Sequence, residues 1–213
     1  MSAPVPIEIR LAGGSTVRGH EFAASGAPVV FIHEPGRDLD AWGAITADFA
    51  KRGFRVLALD LPGHGLSDGD ADDWDGTIGE VMEQIEVQWG PMGVVAAGAA
   101  CQPFLAIGTD HGVPIQAMIS PTDSDEAALR SSARSMRLVM CGTADGDAQR
   151  AAKTMYDGAR GHRMMVTGGK LEQGTELLVA HPHLAEELVM WFRRYLTAYH
   201  LGWIKEITST AKE

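Results

Sequence analysis

Short, unbroken apolar runs recur along this chain, and stretches with the spacing of amphipathic helices separate them. Runs of this length are typical of strands that are buried on both faces of a sheet. They lie at Pro28–Ile32, Phe54–Asp60, Gly93–Gly98, Ile115–Ser120, Met136–Gly142 and Arg163–Thr167. Strands that alternate with helices form mostly parallel sheets with helices on both faces. The sequence therefore predicts an α/β fold.

Two further strands precede these runs, which brings the predicted total to eight strands. Pro6–Leu11 and Thr16–Phe22 flank the Gly13-Gly14 pair, and this arrangement predicts an antiparallel hairpin. The spacing of apolar residues also predicts the helices of the fold. They are expected at Leu39–Arg52, Thr77–Trp89 and Pro103–Asp110, near Glu126–Arg134 and Ala148–Gly158, and at about His183–Tyr199.

The chain of 213 residues has the length of one domain. Residues 1–201 contain no linker, repeat or low-complexity segment, and we expect them to form a single domain. Residues 202–213 are predicted to be a tail that carries Trp203, Ile204 and Ile207. These side chains pack either on the body of the protein or on a partner chain. In the second case, the last helix and the tail would mediate homo-oligomer formation, and the sequence leaves both options open.

The charge of the chain excludes two classes of partner. The 18 basic and 28 acidic residues give a formal net charge of −10, which repels both nucleic-acid phosphates and anionic membrane surfaces. No apolar run reaches the roughly 18 residues of a membrane span. Residues Met1–Pro6 lack the basic and apolar regions of a signal peptide. We therefore expect an acidic, cytoplasmic protein with no nucleic-acid partner and no membrane partner.

No cofactor and no metal site is predicted from the sequence. Cys101 and Cys141 lie in apolar segments and are too few for a disulfide framework or a four-ligand zinc site. His181 and His183 form only a pair, and no glycine-rich phosphate loop follows a strand. The acidic run after the predicted fourth strand lacks the regular spacing of a calcium loop. That run consists of Asp70, Asp72, Asp73 and Asp75.

Four segments carry a resemblance to a known family. Val29–His33, with Trp42 downstream, is similar to the third strand and oxyanion loop of the α/β-hydrolase superfamily. Leu57–Asp68 closely resembles the segment after the fourth strand of that family, and its part Asp60–Asp68 is the most specific match. Val139–Asp145 resembles the strand and loop that carry the catalytic acid, and Gly174–Leu178 resembles part of the histidine loop. The resemblance implies an eight-stranded α/β-hydrolase fold over residues of about 5 to 198.

The resemblance also implies positions for a catalytic triad, and this chain departs from the family at two of them. The family places its nucleophile in the pattern G-x-nucleophile-x-G. The matching stretch here is Gly98–Gln102, which puts Ala100 at the nucleophile position and Gln102 at the second glycine. Gln173 stands where the general base is expected, and a neutral amide cannot accept a proton there. The acid position is kept as Asp145, which without a histidine becomes a loop carboxylate or a helix N-cap.

The oxyanion hole is altered as well. By resemblance, one backbone N–H comes from Cys101 and the other from Pro35, which has no N–H to donate. Glu34 would place a negative charge close to the developing oxyanion. His33 and His64 flank the expected mouth of the site, and in this family they make structural hydrogen bonds to the loop backbone.

We therefore expect a lidless α/β-hydrolase-fold pseudoenzyme that binds a small ligand or a protein partner. Its binding site would be the old cleft, lined by His33, Glu34, Pro35, Ala100, Cys101, Gln102 and Gln173. The alternative is a small ester or thioester hydrolase that uses Cys101 as nucleophile with Asp145. That alternative depends on a low thiol pKa at the start of the following helix. A third possibility is an assembly subunit that pairs through its last helix and tail.

Overall fold

The computed structural model describes residues 3–71, 74–105, 107–108, 111–122, 135–159, 161–202 and 204. In this part of the chain, eight strands form one sheet, as predicted. The strands are β1 (Val5–Arg10), β2 (Thr16–Phe22), β3 (Pro28–Ile32), β4 (Arg55–Leu59), β5 (Gly93–Ala97), β6 (Ile115–Ile119), β7 (Met136–Cys141) and β8 (Arg163–Thr167). The α-helices are α1 (Ile45–Lys51), α2 (Trp74–Trp89), α3 (Gly146–Gly158), α4 (Thr175–Ala180) and α5 (Pro182–His200).

The sheet has the strand order β1-β2-β4-β3-β5-β6-β7-β8. β2 runs antiparallel to β1 and to β4, and the other neighbouring pairs are parallel. The predicted hairpin and the mostly parallel sheet are therefore both confirmed. The solid apolar runs occupy the middle of the sheet, where a helix layer on each face excludes water from both sides of a strand.

Two apolar clusters hold the helices onto the sheet. On one face, α2 and α3 contribute Ile78, Met82, Ile85 and Met155 to the core. The opposite face is covered by α1, α4 and α5, which contribute side chains such as Phe49, Leu178 and Phe192. Since successive strand residues point to opposite faces, each buried strand supplies both clusters. This arrangement confirms the prediction of helices on both faces.

Between β4 and β5, the order in which successive strands are added to the sheet changes from one side of β3 to the other. β4 lies on one side of β3 and β5 on the other, so the loops that leave the carboxyl ends of β3 and β5 diverge. In open α/β sheets, such a switch point creates the crevice in which ligands bind. The candidate site is therefore expected where residues after Ile32 meet residues after Ala97.

Two predicted helices differ from the structure. The stretch Leu39–Arg52 is divided into a 3-10 turn, Leu39–Trp42, and α1, because Gly43 adopts a φ of 53° between them. The stretch after β5 forms the short 3-10 turns Gly98–Cys101 and Pro103–Leu105 rather than the start of an α-helix. Gln102 and Leu105 donate their N–H groups three residues back along the chain, and Pro103 has none to donate.

Other predictions are only partly covered by the described residues. The helix expected near 126–134 lies outside them, as do Trp203 and Ile207 of the tail. Ile204 packs against the apolar cluster under α5. No cap domain is evident in the described residues between β6 and β7. Among the described helices, none has both the length and the hydrophobicity that crossing a bilayer requires.

Candidate functional site

Four loops converge at the carboxyl edge of the sheet. They follow β3, β5, β7 and β8, and they bring together Glu34, Gly98, Asp145 and Gln173. Three of these residues stand at or next to positions that the sequence resemblance singled out. The fourth, Gly98, was named only as the first glycine of the motif.

The sharp turn after β5 is made by Gly98. Ala97 is still extended, with φ −121° and ψ 146°, whereas Gly98 has a φ of 58° and starts the 3-10 turn. Glycine adopts this left-handed conformation without the steric cost that a Cβ would impose. A Cβ built on Gly98 would lie 2.8 Å from the Cβ of Glu34. A side chain at position 98 would therefore project toward Glu34.

Ala100 and Cys101 point away from the site. The sequence motif placed Ala100 at the exposed nucleophile position, and it placed both residues in the lining of the cleft. In the structure both side chains are fully buried in the core cluster that α2 and α3 cover. The reason is that the 3-10 turn begins two residues earlier than the motif predicted, so these residues face inward. Gln102 is half-buried.

The thiol of Cys101 lies in an environment that opposes ionisation. Its Sγ is 3.2 Å from the carbonyl oxygen of Ala96 and 3.9 Å from that of Ile119. Burial raises the pKa of the Cys101 thiol far above its usual value, and the charge of Glu34 acts in the same direction. Because the thiolate is the nucleophilic form, this position does not favour thiol catalysis near neutral pH.

Asp145 links the loop after β7 to the loop after β8. Its Oδ1 accepts the backbone N–H of Ala148 at 3.0 Å, so it caps the N-terminus of α3. Its Oδ2 accepts a hydrogen bond from Nε2 of Gln173 at 2.6 Å. The amide of Gln173 thus contacts the acid as the imidazole of a triad would. It supplies a donor toward Asp145 but no basic nitrogen for a substrate.

Glu34 fills the space between the turn after β5 and the loop after β8. Its two carboxylate oxygens each accept the N–H of Thr175 at 3.2 Å, and Oε1 also accepts the Thr175 hydroxyl at 3.0 Å. The side chain is only 17% exposed. Gly174 adopts a φ of 53°, and a Cβ on it would lie 2.5 Å from Oε1 of Glu34. The Glu34 side chain therefore lies against two glycines that leave room for it, with Gly98 beside its Cβ and Gly174 beside its carboxylate.

Two histidines hold the neighbouring loops together. Nε2 of His33 accepts the N–H of Leu61 at 3.0 Å, so its proton is on Nδ1, which donates to the carbonyl oxygen of Glu34 at 2.8 Å. His64 accepts the N–H of Gly36 and contacts the carbonyl oxygen of Pro62. The His33 ring is neutral because its Nε2 accepts an N–H, and burial lowers the pKa of His33, which acts in the same direction. The expected hydrogen bonds of both rings to loop backbone are present.

The most family-specific motif, Asp60–Asp68, makes hydrogen bonds that stabilise the fold. The carboxylate of Asp60 accepts the N–H of Leu39 at 2.8 Å and that of Leu66 at 3.0 Å. At the end of the motif, Asp68 pairs with Arg18 at 2.7 Å, and this hydrogen bond lowers the pKa of Asp68. The motif therefore indicates the fold, and it is not evidence for or against catalysis.

Two further features bear on ligand chemistry. No group of three or more His, Cys, Asp or Glu side chains in the described residues is arranged to hold a metal ion.

His181 contacts Glu172 at 3.3 Å. The pKa of Glu172 is lowered to about 2, chiefly by the backbone N–H of Lys170. The carboxylate of Glu172 is therefore bound by neighbouring residues, Lys170 and His181.

Sequence reasoning missed Ser120, which follows β6 beside the turn at Gly98. Among the described residues it is the one non-glycine residue with a positive φ, at 44°. Its side chain is buried and its hydroxyl has no hydrogen-bond partner. Ile119 pairs with Ala97 in the sheet, which places Ser120 next to the candidate site. No sequence pattern marks such a residue, because strain depends on the surrounding packing.

Comparisons with solved structures agree on the architecture. An esterase from Pyrococcus furiosus, Pf2001, superposes with a TM-score of 0.74 at 12% identity, over 91% of this chain and 93% of that chain. A hydrolase from Pseudomonas aeruginosa superposes with a TM-score of 0.73 at 14% identity, over 90% and 99%. A thioesterase domain from the curacin biosynthetic pathway gives 0.68 at 13% identity, over 89% and 100%.

Sequence comparison gives a narrower match, and no protein-family model matches the chain. A curated protein from Pseudomonas putida is 34% identical over 95 residues. It is the dihydrolipoyllysine-residue acetyltransferase component of an acetoin cleaving system, and the match covers 40% of this chain. The chain spans about a quarter of that relative, 24% of its length. Taken with the strand order and the structural neighbours, these findings show that the chain has the α/β-hydrolase fold of esterases and related hydrolases.

Proposed function

We propose that this protein is a pseudoenzyme of the α/β-hydrolase fold, which has lost serine-hydrolase chemistry and serves in binding a small ligand or a protein partner. One observation carries the proposal. At the meeting point of the loops on the carboxyl edge, Gly98 has no side chain to act as a nucleophile, and the amide of Gln173 occupies the place of a base. The one carboxylate beside them, that of Glu34, is bound to Thr175.

Each requirement of acyl transfer fails for a separate chemical reason. A hydrolase needs a nucleophile beside a base that can take its proton. Gly98 has no side chain, Ala100 is inert and buried, and the amide of Gln173 cannot act as a base. Pro35 cannot donate an N–H to an oxyanion, and loss of one such donor costs roughly 10²–10³ in rate. Reversal of any one of these losses would leave the others in place.

The alternative of a Cys101 hydrolase is less well supported. It requires a thiolate that is accessible to substrate, whereas the thiol is fully buried and its pKa is raised. Thioesters nevertheless belong among the test substrates. One structural neighbour is a thioesterase domain, and the Pseudomonas putida relative is an acetyltransferase component.

The test is a search for turnover by the wild-type chain. p-Nitrophenyl acetate, p-nitrophenyl butyrate and an acetyl thioester are incubated with the protein at increasing concentration. We expect the rates to equal the rate in buffer alone, and we expect mass spectrometry to detect no acylated protein.

Cys101→Ser and Cys141→Ser provide a matched pair of controls, since both cysteines are buried and free. Turnover that rises with protein concentration and disappears in Asp145→Asn would overturn the proposal. Loss of that turnover in Cys101→Ser, but not in Cys141→Ser, would establish the thiol alternative instead.

A further inference from the structure

The contact between Glu34 and Thr175 joins two loops that lie 141 residues apart in the chain. Glu34 follows β3, and Thr175 follows β8 and starts α4. Three hydrogen bonds of 3.0–3.2 Å connect the carboxylate to this one residue. Thr175 is itself buried, so the fold holds the two donor groups that bind the carboxylate in place.

The space that Glu34 occupies is shaped by missing side chains. Gly98 and Gly174 both have positive φ values, and a Cβ on either would collide with Glu34. Only glycine combines this conformation with such close approach. Removal of the Glu34 side chain would therefore leave a gap bounded by the turn after β5 and the loop after β8. That gap lies at the switch point where ligands of open α/β sheets bind.

Ion pairing contributes little to the hold on Glu34. Nε of Arg37 is 3.9 Å from the carboxylate, and the Arg37 side chain is 53% exposed. Arg37 also lies 4.0 Å from Glu176. Exposed ion pairs at such distances stabilise a structure only weakly. Release of Glu34 therefore requires the exchange of its hydrogen bonds to Thr175 and no rearrangement of the apolar core.

We propose that Glu34 is an autoinhibitory contact, a side chain of the protein that occupies its own binding crevice and must be displaced before a ligand enters. This inference rests on the proposed binding function of the crevice. Because Glu34 is tethered, it competes with free ligands as if it were present at high concentration. The wild-type crevice is consequently closed to weak ligands, and loss of the Glu34 side chain opens it.

The direct test is chemical complementation of Glu34→Gly. The probe is propionate, whose carbon and oxygen atoms match those removed by the substitution. We expect the thermal midpoint of Glu34→Gly to fall below that of wild type and to rise again, saturably, with millimolar propionate. Neutral propionamide at equal concentration should produce at most a small part of that rise. The wild-type midpoint should not respond to either compound.

Glu176→Gly is the matched control, because Glu176 carries the same charge near Arg37 but is exposed. Propionate should not stabilise this control. Equal stabilisation of both variants, or of wild type, would overturn the proposal, as would a Glu34→Gly protein that is insensitive to propionate. Ester turnover by wild type would instead overturn the proposed function and leave the contact intact, so the two failures are distinguishable.

Glu34→Gln covers the case in which Glu34→Gly does not fold. Its side chain has nearly the same shape, but one of the two carboxylate oxygens that accept from Thr175 becomes an NH2 donor, and the negative charge is lost. We expect the Thr175 amide to exchange its hydrogen at least tenfold faster than in wild type, because charged acceptors form the stronger bonds. Unchanged exchange at Thr175 would show that Glu34 does not hold the crevice closed.

Discussion

The φ angles of two residues, Gly98 and Ser120, determine which side chains face the candidate site and which are buried. At Gly98 a positive φ turns the chain sharply, and two residues later Ala100 and Cys101 are in the core. At Ser120 a positive φ is imposed on a residue with a Cβ, and its hydroxyl is buried without a partner. At Ser120 the strained backbone and the unpaired hydroxyl each destabilise the fold by about 1–3 kcal/mol, whereas Gly98 adopts its positive φ without a steric cost.

This strain gives a residue-scale prediction for stability. Ser120→Gly removes the Cβ from a left-handed position and also removes the unpaired hydroxyl. We expect it to raise the free energy of unfolding by about 1 kcal/mol, measured by urea denaturation. Ser135→Gly is the matched control, because that hydroxyl is buried and donates to the carbonyl oxygen of Val113 at 2.9 Å. The control should be destabilised, and destabilisation of Ser120→Gly as well would contradict the explanation.

At the scale of elements, the loops after β7 and β8 are organised by helix capping. Asp145 caps α3 through Ala148 and receives the amide of Gln173. Asp145 thus has a structural role that does not depend on proton transfer. Side-chain caps of this kind stabilise a helix by about 0.5–2 kcal/mol, which is sufficient reason for an aspartate at this position.

The capping role predicts a difference between two neighbouring aspartates. Asp145→Ala should lower the free energy of unfolding by about 1–2 kcal/mol, because the N-cap of α3 is lost. Asp147→Ala, in the exposed first turn of the same helix, should change it by less than about 0.5 kcal/mol. Thermal and urea denaturation of both variants provide the measurement. Equal effects would mean that Asp145 does not act as a cap.

At the scale of the whole molecule, the crevice is defined by loops from distant parts of the chain, held around one sheet. The loops after β3, β5, β7 and β8 retain the arrangement in which acyl chemistry takes place in this fold. Under the proposed function, the crevice lacks a nucleophile and a base, and the side chain of Glu34 fills the space beside Gly98. The scaffold should therefore accept those groups if they are supplied at positions that face the crevice.

We expect the triple variant Glu34→Gly, Gly98→Ser, Gln173→His to hydrolyse p-nitrophenyl acetate at least tenfold faster than wild type. Glu34→Gly removes the Cβ that would collide with the new serine, and Asp145 remains to orient the histidine. The rate should stay modest because Pro35 still lacks an N–H.

The matched control moves the serine to the position that the sequence motif indicated. In Glu34→Gly, Ala100→Ser, Gln173→His, the hydroxyl would be buried in the core, and we expect no activity above wild type. Activity in this control, with none in the Gly98 variant, would show that the motif and not the turn geometry locates the nucleophile position.

The sequence by itself determined the fold, and it identified two positions whose residue types do not suit the chemistry of that fold. Solid apolar runs between amphipathic stretches specify a buried parallel sheet whatever the loops contain, because burial on both faces requires that pattern. Gln173 and Pro35 could be recognised as chemically unsuited from their residue types alone.

Only the tertiary structure decided how those residues are arranged in space. The sharp turn is at Gly98 and not at Ala100. The sequence around these two residues predicts that the chain turns, but it does not indicate which of the two residues makes the turn. The contact from Glu34 to Thr175 also had no sequence signal, because it joins residues 141 positions apart. Local patterns encode burial and periodicity, whereas contacts between loops depend on how the whole sheet brings them together.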